Sequence, residues 1–249
     1  MKKLEVFAIR GFPEVEAGAD VAALFLQATE KSRVSVRSGD VLVIKQKVVS
    51  KAEGRLVWLD DVKPRAEAIR LAVEHGKDPK LVEVILGEAV RVVRAGHGVI
   101  ITETRHGFVC ANSGVDRSNV KDGYAVLLPL DPDASARRIR VSVEGATGKR
   151  VGVVVTDTFG RPWRKGQTDV AIGCSGIDAL FSYRGRKDRY GYELRVTEPA
   201  VVDEIAGAAE LATGKLTDIP AAIVRGATYT RGEAGARSIV MEKERDLFR

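Results

Sequence analysis

Residues 157–169 gather the side chains best suited to chemistry. Asp157 and Thr158 follow the apolar run 151–156, and Arg161, Arg164, Lys165 and Asp169 come soon after. A carboxylate and a hydroxyl at a strand end, with two guanidinium groups and an ammonium beyond, supply what a metal-bound phosphate requires. Mg²⁺ takes one or two protein carboxylates together with phosphate oxygens, and the planar guanidinium fork holds further oxygens in paired hydrogen bonds. The same residue types also compose an exposed basic loop in which Asp157 only turns the chain. A second stretch, residues 112–119, reads N-S-G-V-D-R-S-N. Asp116 and Asn119 sit among small residues that let backbone approach a ligand closely, although Asn, Ser and Asp build ordinary turns as well. A third stretch, residues 45–55, carries Lys45, Lys47 and Lys51. At a strand end these lysines suit phosphates; on an edge strand they discourage aggregation.

The run Gly214-Lys215-Leu216-Thr217 has the look of the end of a phosphate-binding P-loop but is not one. That motif needs a glycine where Ala209 stands and a Ser or Thr where Leu216 stands, between a strand and a helix. No nucleophile and histidine pair up along the chain, which fits direct transfer between substrates better than a covalent enzyme intermediate.

The elements that must position these residues alternate along the chain. Strands are expected at 4–9, 41–44, 56–59, 90–93, 99–102, 108–111, 125–128, 151–156 and 219–224, several as continuous Val/Ile/Leu runs typical of strands buried on both faces. Asp20 is placed to cap a helix over 21–31, Pro64 to open one that closes near Gly76, and Asp78-Pro79 to start one running to Glu88. Pro132 begins a further helix ending at Gly148, and Glu198-Pro199 another through Ala212 with Gly214 as its stop. A charged terminal helix is expected over 238–247. Without a regular βαβ beat, the pattern predicts an irregular mixed α+β fold, not a doubly wound sheet. No Pro/Ser-rich linker divides the chain, so it reads as a single unit over 1–249 with two interleaved subdomains. The likeness between residues 98–104 and 152–158 is what two buried strands ending in polar turns produce by chance.

The 249 residues, 45% hydrophobic and 30% charged, can bury a core without staples. Cys110 and Cys174 form no C-x-x-C pair, and His75, His97 and His106 show no zinc spacing. Two reduced, buried thiols in a cytoplasmic protein are expected. No signal peptide and no apolar stretch of about 20 residues is visible. The net charge of +6 favours an anionic partner. Its basic residues are interleaved with acids, as in Lys187-Asp188-Arg189, and no aromatic-basic motif accompanies them. A nucleic-acid-binding module is therefore the weaker reading; a metal-dependent nucleotide phosphatase or kinase is the other alternative.

Together, S-K-A-E-G-R at 50–55, N-S-G-V-D-R-S-N-V at 112–120, T-D-T-F-G-R-P at 156–162, G-R-K-D-R-Y-G at 185–191 and I-P-A-A-I-V-R-G at 219–226 resemble the coenzyme F420-0:γ-glutamyl ligases. The likeness runs from Gly11 to about Gly226. It implies a homodimeric ligase of unusual α+β fold that adds L-glutamate by γ-linkage to coenzyme F420-0 and F420-1 through an acyl phosphate, releasing GDP and phosphate. GTP as co-substrate, two divalent ions (Mg²⁺ or Mn²⁺) and a monovalent cation are implied with it; neither nucleic acid nor membrane is. By the same resemblance, GTP is contacted by Phe12, Pro13, Glu14, Val15, Gln46, Lys47, Lys51 and Asn119, and by the closing loop Thr213, Gly214, Lys215, Leu216, Thr217 and Asp218. Asp116 and Asp157 bind one metal and Thr158 a second, and Asp116, Asp157, Arg161 and Arg164 are the candidate catalytic residues. The chain departs from the family pattern at Lys215, where Glu or Gln commonly follows the loop glycine. A protonated lysine is no metal ligand and would reach a phosphate instead.

Overall fold

The computed structural model describes residues 3–247. Its strands are β1 (Glu5–Ile9), β2 (Val41–Lys45), β3 (Leu56–Trp58), β4 (Ala89–Gly96), β5 (Val99–Thr104), β6 (Val109–Ala111), β7 (Tyr124–Val126), β8 (Gly152–Arg161), β9 (Arg164–Ser175) and β10 (Ala221–Arg225). Its α-helices are α1 (Val21–Lys31), α2 (Gln46–Ala52), α3 (Ala66–His75), α4 (Pro79–Glu88), α5 (Pro132–Thr147) and α6 (Val201–Thr213).

The large sheet has the order β1-β10-β2-β8-β9, with β2 and β8 parallel and the other neighbours antiparallel. Alternation along its strands feeds two cores, because successive side chains point to opposite faces. Leu42, Ile44, Val153, Val155 and Ile223 pack with Phe25 of α1 and Ile139 of α5 on one face. Val41, Val43, Val154 and Val224 pack with Val202 and Ile205 of α6 on the other. Helices on both faces explain why these strands read as unbroken apolar runs. Residues between β2 and α5 build two smaller sheets, β3-β7 and β4-β5-β6, packed with α3 and α4 around separate small cores. The fold is an irregular α+β arrangement, and no helix among the described residues is long and apolar enough to cross a membrane.

Local signals set the helix ends. The Asp20 carboxylate accepts from the N–H groups of Ala22 and Ala23 at 2.9 and 3.1 Å, and Asp78 from Lys80 at 2.9 Å with Pro79 in the first turn. Gly76 and Gly148 close α3 and α5 in the left-handed conformation.

Three expectations need correction. Residues 157–169 are no loop: β8 continues to Arg161 and β9 begins at Arg164, so the charged residues ride a long hairpin turned at Pro162-Trp163. Charge masked the pairing, since an arm projecting beyond the core needs no apolar face. The lysine-rich stretch is not an edge strand but α2, which brings Lys47 and Lys51 onto one helix face by their i, i+4 spacing. The terminal helix over 238–247 does not form; only short 3-10 turns occur at Ala236–Ile239 and Lys243–Arg245. Ile239 packs against the α6-side core and Val240 against the α1-side core. One stripe of a helix cannot reach both, and a helix of about ten residues is marginal alone.

The sheet also imposes a glycine. A Cβ on Gly173 in β9 would lie 2.4 Å from the backbone carbonyl of Pro132, the first residue of α5. Neither backbone can yield, so Gly173→Ala is expected to destabilise the protein by about 3 kcal/mol through overpacking. An unchanged urea midpoint for this variant would show that α5 does not press on β9 as described.

Candidate active site

Two adjoining chambers open where β2, β8 and the loop after α6 meet. The first, about 630 Å³, is walled by Phe12, Pro13, Glu14 and Val15, by Lys45, Lys47 and Lys51, by Asn119, and by Gly214, Lys215, Thr217 and Asp218. The second, about 510 Å³, is lined by Gln46, Asn112, Asp116, Thr156, Asp157, Thr158, Asp169 and Leu216. Lys45, Lys47, Asn119 and Lys215 border both. Volumes of this size suit a small-molecule substrate. The fold thus brings most of the nucleotide-binding candidates together around one cleft, with three placed differently: Gln46 and Leu216 face the second chamber only, and Thr213 lines neither and is buried. Arg161 and Arg164 sit on the exposed turn of the β8–β9 hairpin and line neither chamber.

Lysines meet carboxylates throughout. The Lys47 ammonium donates to Asp116 Oδ2 at 2.6 Å and to Ser118 O and Oγ at 2.8 and 2.6 Å. The Lys51 ammonium reaches Glu14 at 2.6 Å. The Lys45 ammonium donates to the Gly214 carbonyl at 2.5 Å, tying the 214–218 loop to the end of β2. Burial, and then the neighbouring Lys215 charge, hold the Lys45 pKa below its ordinary value.

The two aspartates behave oppositely. Burial pushes Asp116 up, but hydrogen bonds from Lys47 and the Ser118 N–H outweigh it, so its pKa lies below the usual carboxylate value. Burial raises Asp157 to about 7; the Thr158 N–H and the Lys47 charge oppose the rise, while Asp116 and Asp169 add to it. Among the described residues, no lysine or arginine forms a salt bridge with Asp157. A recessed carboxylate beside another carboxylate, with no cation bonded directly to it, is the setting in which a divalent ion relieves the conflict.

The donor set fits one such ion. Mg²⁺ uses one or two carboxylates and completes its shell with water and phosphate. Asp116 and Asp157 supply that number, and among the described residues no group of three or more His, Cys, Asp or Glu forms a closed metal cage. Thr158 is engaged elsewhere. Its hydroxyl donates to Asp169 Oδ1 at 2.7 Å and accepts from the Lys215 ammonium at 2.6 Å.

The second chamber also collects polar atoms that find no partner within the described protein. Gln46 Nε2, Asn112 Oδ1 and Thr156 Oγ are all buried and unsatisfied, although Ser50 Oγ donates to Gln46 Oε1 at 2.7 Å and orients that amide. Buried polar groups without partners are rare in folded proteins and call for one. Strain concentrates here too. Asn112, Ser113, Asn119 and Asp218 all have φ between 53 and 56°, a conformation that costs non-glycine residues about 1–3 kcal/mol and clusters at functional sites.

Asn112 and Thr156 escaped the sequence reading as site residues, and Lys45 and Asp169 entered it only as members of charged stretches. Lys45 lay inside a recognised lysine stretch, and Asp169 becomes visible only once the hairpin pairs it with Thr158. Asn112 and Thr156 carry no signal in one sequence, because only burial distinguishes them from turn residues.

Residues 10–226 match the family described as F420-0:Gamma-glutamyl ligase. Relatives named Coenzyme F420:L-glutamate ligase include a protein of Methanothermobacter thermautotrophicus, 43% identical over 249 residues and 99% of both chains. Another, from Methanocaldococcus jannaschii, is 49% identical over 215 residues, 86% of each chain. A third, from Methanopyrus kandleri, is 47% identical over 241 residues, 95% of this chain and 94% of its own.

Proposed function

The chain belongs to the F420-0:gamma-glutamyl ligase family, and from that membership and the geometry of its cleft we propose that it forms amide bonds between L-glutamate and coenzyme F420-0, then F420-1, at the expense of GTP. The observation that carries the reading is the convergence of Lys45, Lys47 and Lys51 on one cleft that opens directly onto Asp116 and Asp157.

A carboxylate does not acylate an amine unaided. In the proposed reaction a coenzyme carboxylate oxygen attacks the γ-phosphorus of GTP, and GDP departs. The glutamate amine then attacks the acyl carbon, and phosphate is released. Phosphoryl transfer depends on positioning and charge neutralisation more than on covalent help from the protein. The three lysines neutralise phosphate oxygens in the first chamber. Gln46, its amide oriented by Ser50, forms part of the wall of the second. Asp116 and Asp157 would hold one divalent ion, Mg²⁺ or Mn²⁺, which would screen the phosphate charge. Asn119 and Asp218, both in strained turns, fix the backbone beside the nucleotide.

A homodimer belongs to the same reading.

The test is mass spectrometry of coenzyme F420-0 incubated with the protein, Mn²⁺, L-glutamate and either GTP or ATP. Successive gains of one glutamyl unit are expected with GTP and at least tenfold less product with ATP, since one mispaired buried hydrogen bond costs about 1–3 kcal/mol. Equal product with ATP would remove the nucleotide preference alone. Phosphate release that needs neither glutamate nor coenzyme would replace the ligase by a phosphatase.

A further inference from the structure

Lys215 leaves the turn after α6 and reaches back across the junction of the two chambers. Its ammonium lies 2.6 Å from Asp169 Oδ1, 2.6 Å from Thr158 Oγ and 3.4 Å from Glu210 Oε1. Asp169 is 3% exposed, and its Oδ1 also accepts the Thr158 hydroxyl at 2.7 Å. Thr158 and Asp169 are register partners across the β8–β9 hairpin, so the rigid sheet fixes their spacing. Two carboxylates and a hydroxyl oxygen converging on a point form a set of donors for a cation, and the point already holds one.

We propose that the Lys215 ammonium is a built-in cation of the active site, seated between Thr158 and Asp169 where a second divalent ion would otherwise bind, so that each chain takes up a single divalent ion, at Asp116 and Asp157. This deepens the metal and nucleotide reading above and rests on it.

Three observations favour the ammonium over a second ion at this point. Thr158 Oγ and Asp169 Oδ1 both meet the ammonium, whereas of the two aspartates at the other site Lys47 engages Asp116 alone and Asp157 forms no salt bridge among the described residues. The Lys45 ammonium borders the same two chambers, where it is anchored on the Gly214 carbonyl, so further positive charge would meet two ammonium groups. Among the described residues no group of three or more His, Cys, Asp or Glu that could hold a metal ion is present, so beyond the Asp116 and Asp157 pair no carboxylate cluster offers an ion another seat. Lys215 is tethered at the mouth of the cleft with its side chain 48% exposed, and its third N–H faces Glu210 Oε1 at 3.4 Å. The positive charge at Thr158 is therefore permanent and independent of metal concentration.

The number of Mn²⁺ ions bound per chain, counted by equilibrium dialysis with electron paramagnetic resonance, decides the matter. Wild type, Lys215→Gln, Lys215→Arg and the double variant Lys215→Gln/Asp169→Asn are compared, each with and without a non-hydrolysable GTP analogue. Lys215→Gln frees Asp169 and Thr158 and is expected to bind one more Mn²⁺ than wild type. Lys215→Arg keeps the charge and the wild-type count, and the double variant loses the gain. Equal counts for wild type and Lys215→Gln, or a gain that survives loss of Asp169, would overturn the proposal. If the analogue fails to bind, the nucleotide reading falls, while the difference between wild type and Lys215→Gln without analogue still decides the role of Lys215.

Discussion

Asp157→Asn is expected to abolish most glutamyl transfer, by about 10³-fold or more, while making the metal-free protein more stable at pH 8. The two effects share one cause. Burial lifts the folded-state pKa of Asp157 from 3.8 to about 7, so the folded protein binds that proton more tightly than the unfolded chain does. Stability then falls as pH rises from about 4 to about 7, and the loss persists at higher pH. At about 1.4 kcal/mol per pKa unit, the penalty is on the order of a few kcal/mol. Asparagine has the shape of the protonated acid and escapes it. The variant should melt above wild type at pH 8 and together with it near pH 4. Asp116→Asn should also lose turnover but with the opposite sign in stability. The Asp116 pKa is lowered, so its ionised form stabilises the fold above the usual carboxylate range and that contribution is lost on acidification; being half exposed, the effect is small. Circular dichroism melts across pH, beside turnover, test both. Asp157→Asn with wild-type turnover, or melting below wild type at pH 8, would return Asp157 to a structural role.

Mn²⁺ affinity should weaken about 100-fold between pH 8 and pH 5, bending near 7. A divalent ion binds the ionised carboxylate, so a proton on Asp157 competes with it, and each unit below the pKa costs about a factor of ten. Asp116 cannot produce this bend, because Lys47 and the Ser118 N–H keep it ionised far below neutrality. Calorimetric titration of Mn²⁺ at several pH values checks this, with proton release read from buffers of different ionisation heat. In Asp157→Asn the bend should vanish and the residual affinity should be weak and flat. An affinity in wild type that stays constant down to pH 5 would place the ion elsewhere. This experiment needs no nucleotide and so stands apart from the identity of the substrates.

Elements whose causes are local were legible in one sequence. Asp20, Asp78-Pro79, Gly76 and Gly148 mark helix ends because a cap needs only a side-chain oxygen or a left-handed residue within a few positions. The apolar strands were equally readable, since burial on both faces leaves no alternation to disguise them. The family was legible from its motifs, and the match over residues 10–226 agrees with the extent read from them.

What the sequence left open depends on pairing at a distance. The arm of the β8–β9 hairpin pairs mostly polar residues, Thr158 with Asp169 and Gly160 with Gln167, which carry no hydrophobic period. The tail 238–247 has helical composition, yet tertiary contacts pull Ile239 and Val240 toward different cores. The fate of Lys215 is the sharpest case. The residue type alone rules it out as a metal ligand. Only the folded sheet, by setting Thr158 opposite Asp169 and turning the loop after α6 back over them, decides that its ammonium sits among the oxygens a metal would have used. That choice belongs to geometry, because an ammonium and a metal ion compete for the same lone pairs and only their placement settles which one arrives.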